Sequence, residues 1–562
     1  MHHFPITDKN TVQKMKILWL DLNSSYAHSS LALPALHAQM LDNKNIQWAS
    51  VSATINEDPD YVTAQIIKHQ PSLIAATCWL FTHEALLHIL CRAKALLPDS
   101  HIVLGGPEFL GDNEHFLRSN PFIDCVLRGE GEEQFPQFCN VWNTPEQWTD
   151  IPGICYINNN GTYIDNGIAR VMDFEKLHAP EESEFFNWSK PFVQLETTRG
   201  CFNTCAFCVS GGEKPVRTLP IETIRKRIHT IHAHGIKNIR VLDRTFNYNS
   251  QRAKELLQVF CEFWPDIRFH LEIHPALLTP ELKEMLHNLP NGLLHLEAGI
   301  QSLHENVLQT SRRHGKLSDA LAGLQYLCSL PNMETHADLI AGLPLYHLTE
   351  IFDDVKELAR YGAGEIQLES LKLLPGTEMR RKASELGIKY APFPPYEVLQ
   401  TNEISIEELR TAYQLSRLLD GFYNTPAWQK VTRKLIIEEK DFLYRMLEYL
   451  RELDVAEQPL SLERRGIILY TFCKKYYPAY TTEVSIAWIE AGMSLKKQPA
   501  EHVRTRHQTP PLSWDVEYGI YNDTLRLCFL PDPNAPEGSG YWFGHASDIQ
   551  QNRPVFKARS RQ

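Results

Sequence analysis

Short apolar segments of strand character alternate with helical segments along the first 140 residues. They begin with KILWLDL (16–22), continue through IQWASVSAT, PSLIAATCWLF and HIVLGGPEF, and end with FIDCVLRGEGEE. Strands that alternate with helices form a parallel sheet covered on both faces. We therefore predict a doubly wound, Rossmann-like α/β domain over residues 15–140, which binds its ligand at the carboxyl ends of the strands. Residues 1–14 are predicted to be a loose extension.

The alternation starts again at residue 192 with six strand candidates. These are FVQLETT, NIRVLDR, RFHLEIH, GLLHLEAG, THADLIAGLP and EIQLESLKLL. Six strand–helix units, rather than eight, predict a partial βα barrel over residues 191–385, with catalytic groups on the loops that follow the strands. Residues 141–190, between the two alternating regions, are predicted to be a polar connector with a hairpin turn at NNNGTYIDNG.

The rest of the chain is mainly helical in character. Two sets of apolar residues recur with the period of a helix: Leu415, Leu418, Leu419 and Phe422, then Leu443, Met446, Leu447 and Leu450. We predict a C-terminal helical domain over residues 400–495, packed as a bundle. Residues 496–562 are predicted to be a linker and a turn-rich tail with one strand, TLRLCFL.

Charge and composition limit the functions open to the chain. The formal charge is −12 and no basic stripe is visible, which disfavours nucleic acid and anionic membranes as partners. The opening MHHFPITDKN lacks the regions of a secretory signal, and no window approaches eighteen apolar residues. We therefore expect a cytoplasmic protein with no membrane span, in which most of the twelve cysteines are reduced.

The segment RGCFNTCAFC (199–208) brings Cys201, Cys205 and Cys208 together. Three metal sites suit such a loop: a zinc site, a ferredoxin-like iron–sulfur cluster, and a cluster with one iron open to a small molecule. Structural zinc and a conventional [4Fe–4S] cluster each take four protein ligands. No histidine lies between His178 and His229 to complete a set. An iron left open by three cysteines can be chelated by amino and carboxylate groups.

Two glycine-containing turns follow strands of the N-terminal domain. Gly105 and Gly106 belong to GGPE (105–108), and Gly129, Glu130 and Gly131 belong to GEGE (129–132). Neither turn has the GxGxxG pattern of a dinucleotide site. Because both turns stand at corresponding strand ends, they predict a rim that faces a ligand.

The Cys-x3-Cys-x2-Cys loop directly after the first barrel strand, with Phe207 before its last cysteine, resembles the radical S-adenosylmethionine superfamily. The resemblance implies that the three cysteines hold a [4Fe–4S] cluster and that Phe207 lies at the cofactor site. In that superfamily the cluster reduces bound S-adenosylmethionine and generates a 5′-deoxyadenosyl radical. The cofactors carry the difficult chemistry, and the protein supplies position, reduction potential and exclusion of water.

Other segments match the superfamily by position along the barrel. Glu297 and Gln301, in LEAGIQS, end the fourth strand, where relatives contact the ribose or methionyl part of S-adenosylmethionine. Asp338 belongs to ADLIAGLP, which resembles the fifth-strand motif that lies against adenine. Asp243 and Arg244 end the second strand and are expected to face the site. The chain departs from the family at GGE (211–213), which comes too early for the motif that binds the methionyl amino group.

A doubly wound domain before such a barrel resembles the cobalamin-binding domain of the B12-dependent radical S-adenosylmethionine class. The two glycine turns then stand where the corrin and its nucleotide tail approach. The first loop, DLNSSYAHSS, lacks the DxHxxG that supplies an axial histidine in classical methyltransferases. The resemblance implies a cobalamin with its own base displaced from cobalt, and His28 is the candidate ligand in that loop. The segment from LQTNEISIEELR onward resembles a C-terminal domain of uncharacterised function that accompanies this pair.

The resemblance implies an enzyme that methylates an unactivated carbon through a 5′-deoxyadenosyl radical and methylcobalamin. One alternative is a cobalamin-assisted rearrangement or cyclisation without methyl transfer. A second alternative, outside enzymes, is a cobalamin sensor or carrier, against which the intact cysteine loop argues. The implied partners are a metabolite, lipid or peptide substrate and an electron donor such as flavodoxin or ferredoxin.

Overall fold

The computed structural model of the chain describes residues 15–26, 30–508, 515–519, 524–546 and 552–560. The chain divides into two compact units. The first comprises the described residues up to Glu334 together with Gly342–Tyr346 and Leu371–Ser405. The second comprises Thr335–Ala341, His347–Ser370 and the described residues from Ile406 onward.

The first unit opens with a sheet whose strand order is β2-β1-β3-β4-β5-β6-β7. Its strands are β1 (Met15–Asn23), β2 (Ile46–Thr54), β3 (Leu73–Thr77), β4 (His101–Gly105), β5 (Cys125–Leu127), β6 (Ile154–Ile157) and β7 (Tyr163–Asp165). Strands β1 to β5 pair in parallel, whereas β6 and β7 pair antiparallel. The predicted connector therefore contributes a hairpin to the sheet, which covers the edge of β5.

Helices cover both faces of this sheet. They are α1 (Ala32–Ala38), α2 (Pro59–His69), α3 (His83–Leu96), α4 (Glu114–Ser119) and α5 (Gln134–Asn140). Alternate residues of β1 enter two separate cores: Leu18 and Leu20 pack in one, and Ile17 and Trp19 in the other. A strand that is buried on both faces is typical of a doubly wound sheet, because side chains alternate across the strand.

The second alternating region forms all six predicted strands. In the first unit β8 (Val193–Leu195), β11 (Asn238–Val241), β12 (Arg268–Ile273) and β13 (Leu294–Gln301) pair in parallel in that order. The remaining strands, β14 (Glu334–Ala341) and β15 (Glu365–Ser370), also pair in parallel. Two short strands, β9 (Thr198–Arg199) and β10 (Arg217–Thr218), form an antiparallel pair directly after β8.

Helices follow these strands in turn. Those of the first unit are α6 (Ile221–Ala233), α7 (Ser250–Cys261), α8 (Pro280–His287), α9 (Glu305–Thr310), α10 (Leu317–Ser329) and, after β15, α12 (Glu378–Arg381). Helix α11 (Leu348–Tyr361) joins β14 to β15 in the second unit. A two-stranded sheet of β16 (Lys389–Tyr390) and β17 (Val398–Gln400) ends the first unit.

The second unit continues as a helical bundle. Its helices are α13 (Ile406–Leu418), α14 (Pro426–Glu438), α15 (Phe442–Glu452), α16 (Leu462–Tyr476) and α17 (Thr481–Glu490). The two predicted apolar faces are buried in full, as the exposure of all eight residues is 3% or less. The doubly wound sheet, the strands of the partial barrel and this bundle confirm the predicted fold class. Within the described ranges, no helix is long and apolar enough to cross a membrane.

The prediction of a linker and a turn-rich tail for residues 496–562 is wrong in one respect, because the described part of this segment forms an antiparallel sheet. The strands are β18 (Val503–Gln508), β19 (Asp515–Val516), β20 (Leu525–Pro531), β21 (Gly540–His545) and β22 (Phe556–Arg559). Only β20 was predicted. Leu525, Leu527, Phe556 and Ala558 form a small core of their own. Because glycines begin β21 and lie within it, its apolar content is diluted and the sequence resembles a turn.

Candidate functional site

Cys201, Cys205 and Cys208 lie in one loop of the first unit, between the paired strands β9 and β10. All three are free thiols; that of Cys205 is buried and the other two are half-buried. The backbone N–H of Cys201 donates to the carbonyl of Glu213 (3.0 Å), and that of Cys208 donates to the carbonyl of Cys205 (3.1 Å). Gly211 has no room for a side chain, since a Cβ there would lie 2.4 Å from the carbonyl oxygen of Cys205. The backbone therefore holds the loop in a defined conformation.

Two arginines act against the effect of burial on Cys205 and Cys208. Burial raises the pKa of Cys205 and of Cys208, while the charge of Arg313 lowers the first pKa and that of Arg244 lowers the second. Arg313 Nη1 also donates to Cys205 Sγ at 3.8 Å. Thiolates are the form that binds metal, so nearby guanidinium groups favour metal binding. In the part of the chain that the structure describes, no three His, Cys, Asp or Glu side chains are placed to hold a single metal ion.

A cavity of about 570 Å³ lies between the carboxyl ends of the N-terminal sheet and the first strands of the barrel. From the sheet side it is lined by Trp19, Ala75, Thr77, Gly105, Gly106, Gly129 and Gly131. From the barrel side it is lined by Gln194, Glu196, Arg199, Gly200, Ser210 and Arg244. Its volume is typical of a small-molecule site. Open α/β sheets bind ligands at this edge, so the residues fit a cofactor that reaches the cysteine loop.

Two of the four glycines of the two turns are required by the fold. Gly106 and Gly129 have φ of 110° and 106°, a conformation that favours glycine. A Cβ on Gly106 would lie 2.8 Å from the carbonyl oxygen of Cys78, and one on Gly129 would lie 2.3 Å from that of Ala169. A Cβ on Gly105 would meet only ordinary contacts, near 3.9 Å. The fold therefore requires Gly106 and Gly129, whereas Gly105 leaves space at the cavity.

Glu130, which the sequence indicates as a cofactor-binding residue, takes part in a buried ion network. Its carboxylate accepts two hydrogen bonds from Arg217, at 2.6 and 2.8 Å, and one from the backbone N–H of Val171 at 2.7 Å. Although burial acts to raise the pKa of Glu130, these hydrogen bonds keep it below its usual value. Arg199 joins the network through Glu132 (2.6 Å) and Glu196 (2.8 Å).

Glu297 lies in β13 and is half-buried. Its Oε2 is 2.9 Å from His270 Nε2 on the neighbouring strand β12. Glu272, two residues after His270, is the register partner of Glu297. Burial raises the pKa of Glu272 to about 7, with Arg244 acting to lower it and Glu297 to raise it. The wall of the barrel therefore holds two carboxyl groups in different electrostatic environments.

The two residues predicted at the end of the second strand have different positions. Arg244 is exposed and lines the cavity. Asp243 is 1% exposed, and its carboxylate accepts hydrogen bonds from the backbone of Thr197 (2.8 Å) and Thr198 (2.9 Å) and from the Thr197 hydroxyl. Burial nevertheless raises the pKa of Asp243. Asp243 thus anchors the end of β8, immediately before the cysteine loop.

The other predicted site residues are placed as follows. Phe207 is half-buried in the cysteine loop. Gln301 ends β13 with a positive φ of 72°, and its amide lies beside Gly299. Asp338 is half-buried in β14, which belongs to the second unit. His28 lies outside the described residues, so the prediction that it binds cobalt stays a prediction.

Several residues with a place at the site were not predicted. Glu272 and His270 alternate with the buried Phe269, Leu271 and Ile273, so the period of two in RFHLEIH indicates a polar inward face. Arg199, Arg217 and Arg313 gave no comparable signal, because their partners are remote in sequence.

Comparison with known families accounts for most of the chain in three parts. The model described as Radical SAM superfamily matches residues 195–366, and the B12 binding domain matches residues 23–138. A family described as a protein of unknown function (DUF4080) matches residues 384–489. The chain therefore contains a radical S-adenosylmethionine domain and a B12-binding domain. The predicted cofactors, a [4Fe–4S] cluster, S-adenosylmethionine and cobalamin, are those of the two matched cofactor domains.

Curated relatives of the chain include two methyltransferases. An uncharacterized methyltransferase of Pyrococcus horikoshii is 27% identical over 202 residues, which is 34% of this chain and 44% of the relative. The cobalamin-dependent radical SAM methyltransferase TokK of Streptomyces tokunonensis is 21% identical over 350 residues, which is 58% of this chain and 50% of the relative. The chain thus spans about half the length of these relatives.

Two solved structures share the fold. TsrM of Kitasatospora setae, a radical S-adenosylmethionine methyltransferase with cobalamin and a [4Fe–4S] cluster bound, has a TM-score of 0.56 at 15% identity. That match covers 82% of this chain and 100% of TsrM. The second is OxsB, a cobalamin-dependent S-adenosylmethionine radical enzyme with aqua-cobalamin and S-adenosylmethionine bound. It has a TM-score of 0.59 at 14% identity, and the match covers 87% of this chain and 83% of the OxsB chain.

Proposed function

We propose that the protein is a cobalamin-dependent radical S-adenosylmethionine enzyme that methylates an unactivated carbon. One observation carries the proposal: a single cavity is lined by the carboxyl ends of the N-terminal sheet and by residues that flank the cysteine loop. Gly200 precedes Cys201, and Ser210 follows Cys208 by two positions. A ligand on the sheet and a ligand on the loop would therefore meet in one space.

Cys201, Cys205 and Cys208 would hold the cluster. The charge of Arg313 acts to lower the pKa of Cys205 and that of Arg244 acts to lower the pKa of Cys208, and the loop backbone is held by its own hydrogen bonds. The cluster reductively cleaves S-adenosylmethionine when bound, and cobalamin carries a methyl group. Three protein ligands leave one position for the amino and carboxylate groups of S-adenosylmethionine.

Glu297 would accept hydrogen bonds from the ribose hydroxyls or the amino group of S-adenosylmethionine. His270, at 2.9 Å, fixes the orientation of its carboxylate. Glu272, with its pKa raised to about 7, can hold or release a proton near neutral pH. The barrel wall thus offers an oriented acceptor beside a group that exchanges protons.

Cobalamin would lie on the rim formed by Gly105, Gly106, Gly129 and Gly131. The cavity floor there includes Trp19, Leu36, Ala75 and Phe135, which exclude water. An apolar floor with a polar barrel side suits a large planar ligand.

The finer assignments are part of the same proposal. Residues 15–140 would bind cobalamin, residues 191–385 would bind the cluster and S-adenosylmethionine, and residues 400–495 form a domain whose role is open. A flavodoxin- or ferredoxin-type protein would supply electrons to the cluster. Twelve free cysteines and a cluster that oxygen destroys suit a reducing compartment such as the cytoplasm.

The experiment is an anaerobic assay of reconstituted protein with S-adenosylmethionine labelled in its methyl group. Metabolite, lipid and peptide fractions of cell extract are offered separately, with the Cys201→Ala variant as the control. We expect one fraction to gain a labelled methyl group, with S-adenosylhomocysteine and 5′-deoxyadenosine formed in about equal amounts. Deoxyadenosine with product but without S-adenosylhomocysteine would overturn methylation in favour of rearrangement. Neither product with any fraction would favour the sensor.

A further inference from the structure

The turn at residues 129–132 and the cysteine loop are connected by a chain of direct contacts. Glu130 binds Arg217 through two hydrogen bonds, and Arg217 Nη2 also donates to Glu213 Oε1 at 2.8 Å. The backbone carbonyl of Glu213 accepts the N–H of Cys201 at 3.0 Å. Glu130, Arg217 and Glu213 therefore connect the turn at residues 129–132 to Cys201, the first cysteine of the loop.

We propose that Arg217 and Glu130 are positioning residues that set the first cluster ligand, Cys201, relative to the cobalamin-side wall of the cavity. The inference rests on the proposed function, because it assumes that both cofactors are bound. It assigns to the pair a role in the properties of both cofactor sites, rather than in folding alone.

Arg217 and Glu130 are largely shielded from water, so removal of either charge has an energetic cost. The side chain of Arg217 is 8% exposed and that of Glu130 is 15% exposed. Arg217 Nη1 also donates to the carbonyl of Val171, whose own N–H donates to Glu130. Removal of one charge would leave the other with only part of its counter-charge, since Arg217 would keep Glu213 at 2.8 Å and Glu130 would keep Arg199 at 3.5 Å. Such a loss inside a buried network is costlier than the loss of an exposed pair. The freed partner would have to move, and the backbone attached to it would move as well.

A second path leads from the same turn to the loop. Arg199 donates to Glu132 at 2.6 Å and to Glu196 at 2.8 Å, and its guanidinium lies 5.1 Å from the ring centre of Phe174. Gly200 follows directly, with a φ of 90°, and a Cβ there would lie 2.6 Å from the carbonyl oxygen of Glu213. The backbone on either side of Cys201 is thus fixed by charges that belong to one network.

The geometry of the cavity explains why a displaced network would affect cobalamin. Glu130, Glu132, Glu196, Arg199 and Glu213 all line the cavity. The two paths start from the turn that contains Gly129 and Gly131, so its position depends on them. A shift of this turn changes the wall offered to cobalamin, while a shift of Glu213 changes the backbone at Cys201.

Another buried pair of the first unit provides a matched control. Arg227 and Glu181 form a bidentate contact of 2.9 and 3.1 Å, with side chains 10% and 3% exposed. None of the hydrogen bonds and ion pairs found for these two described residues joins the cysteine loop or residues 129–132. Arg227 also donates to the backbone carbonyl of Glu196 at 3.4 Å, but it does not bind the Glu196 carboxylate that accepts from Arg199. A loss of charge at Glu181 therefore tests stability while the carboxylates of both paths to Cys201 keep their partners.

The experiment compares Arg217→Gln, Arg217→Lys, Glu130→Gln and Glu181→Gln in the full chain, reconstituted anaerobically. Three quantities are measured without substrate: the Kd for hydroxocobalamin, the midpoint potential of the cluster, and its electron paramagnetic resonance spectrum in the reduced state. Circular dichroism and iron content establish that each variant is folded and loaded. Because no turnover is required, failure of methylation would not affect these readouts.

We expect Arg217→Gln and Glu130→Gln to raise the Kd for hydroxocobalamin about tenfold or more. Both should also shift the cluster's potential and spectrum, with iron retained. Arg217→Lys keeps the charge but loses the paired N–H donors of the guanidinium group. Its Kd for hydroxocobalamin and its cluster potential should therefore lie between those of Arg217→Gln and the wild type. Glu181→Gln should lower the melting temperature only. If Arg217→Gln and Glu130→Gln fold and load iron but match Glu181→Gln in all three quantities, the network is merely structural and the proposal is overturned.

Discussion

Glu272 and Glu297 are register partners on two neighbouring parallel strands, so their carboxyl groups stand on the same face of the barrel wall. Glu297 is bound to His270 at 2.9 Å, whereas burial raises the pKa of Glu272 to about 7. Two identical groups in adjacent positions thus have different surroundings, which suits the proposed roles of Glu297 as a hydrogen-bond acceptor and of Glu272 as a group that exchanges a proton.

Glu297→Gln is expected to weaken the binding of S-adenosylmethionine about tenfold or more. A charge-assisted hydrogen bond contributes about 1.5–3 kcal/mol, and about 1.4 kcal/mol corresponds to one decade in affinity. Equilibrium dialysis with the reconstituted protein measures the change, and Glu305→Gln on the exposed start of α9 is the control. Equal affinity in the two variants would show that Glu297 has only a structural role.

Glu272→Gln is expected to stabilise the protein above neutral pH. Because the pKa is raised from 4.5 to about 7 in the folded state, the native carboxyl retains its proton where the unfolded one has lost it. Stability due to this group is present below about pH 4.5 and is lost as pH rises to about 7. Arg244 and Arg240 oppose the shift, and Glu297 and Asp243 add to it.

Urea unfolding of the apo protein at pH 5 and pH 8 tests this prediction. At each pH the free energy of unfolding of the variant is compared with that of the wild type. We expect this difference to be about 1–3 kcal/mol more favourable to the variant at pH 8 than at pH 5, since one pKa unit corresponds to about 1.4 kcal/mol. A difference between variant and wild type that is independent of pH would contradict the raised pKa.

Features that depend on local sequence could be predicted. The cysteine loop, the six strands of the barrel and the apolar faces of α13 and α15 follow from spacing within a few residues. The sheet of β18 to β22 could not, because its strands are short and pair with partners that sequence order does not indicate. Gly540 and Gly544 also make β21 resemble a turn.

The ion network could not be predicted for the same reason. Arg217 and Glu130 are separated by 87 positions and Arg199 and Glu132 by 67, so only the fold brings them together. Glu130 was indicated by its place in GEGE, but its partners decide its role. Asp243 shows the converse: its place at a strand end was evident, whereas its three hydrogen bonds to Thr197 and Thr198 were not.

Asp243→Asn is expected to destabilise the first unit by about 2–3 kcal/mol. The amide oxygen can still accept from the two backbone N–H groups, but the charge that strengthens these bonds is lost. The Thr197 hydroxyl would also have to turn round to accept from the new NH₂ group. Denaturant unfolding monitored by tryptophan fluorescence measures the change. Asp266→Asn, at a half-exposed ion pair with His232, should cost less than about 1 kcal/mol. Similar losses in both variants would contradict the anchoring role of Asp243.

Replacement of Cys201, Cys205 and Cys208 by alanine is expected to abolish binding of the cluster. Iron and acid-labile sulfide should fall to background, because the variant lacks all three proposed protein ligands. Cys261→Ala, which removes a half-buried thiol from α7, should retain both. Iron and sulfide analysis after anaerobic reconstitution decides between these outcomes, and full retention of iron in the triple variant would exclude the assignment.

Gly105→Ala is expected to weaken the binding of cobalamin and Gly106→Ala to destabilise the fold, although the two residues are adjacent. A Cβ on Gly105 meets only contacts near 3.9 Å, so the fold should accept alanine with a change within about 0.5 kcal/mol. The added methyl group would occupy space at the cavity, so the affinity for cobalamin should fall. Gly106 has a φ of 110°, and a Cβ there would lie 2.7 Å from Thr77 Cγ2 and 2.8 Å from the carbonyl oxygen of Cys78.

Gly106→Ala should therefore lose about 1–3 kcal/mol of stability or more, before any ligand is added. Melting temperatures of the apo proteins and titrations with hydroxocobalamin separate the two effects. Binding of cobalamin at the rim of glycines predicts that Gly105→Ala has the same melting temperature as the wild type and yet binds hydroxocobalamin more weakly. Wild-type affinity in Gly105→Ala would place cobalamin away from this rim and would remove Gly105 from its site.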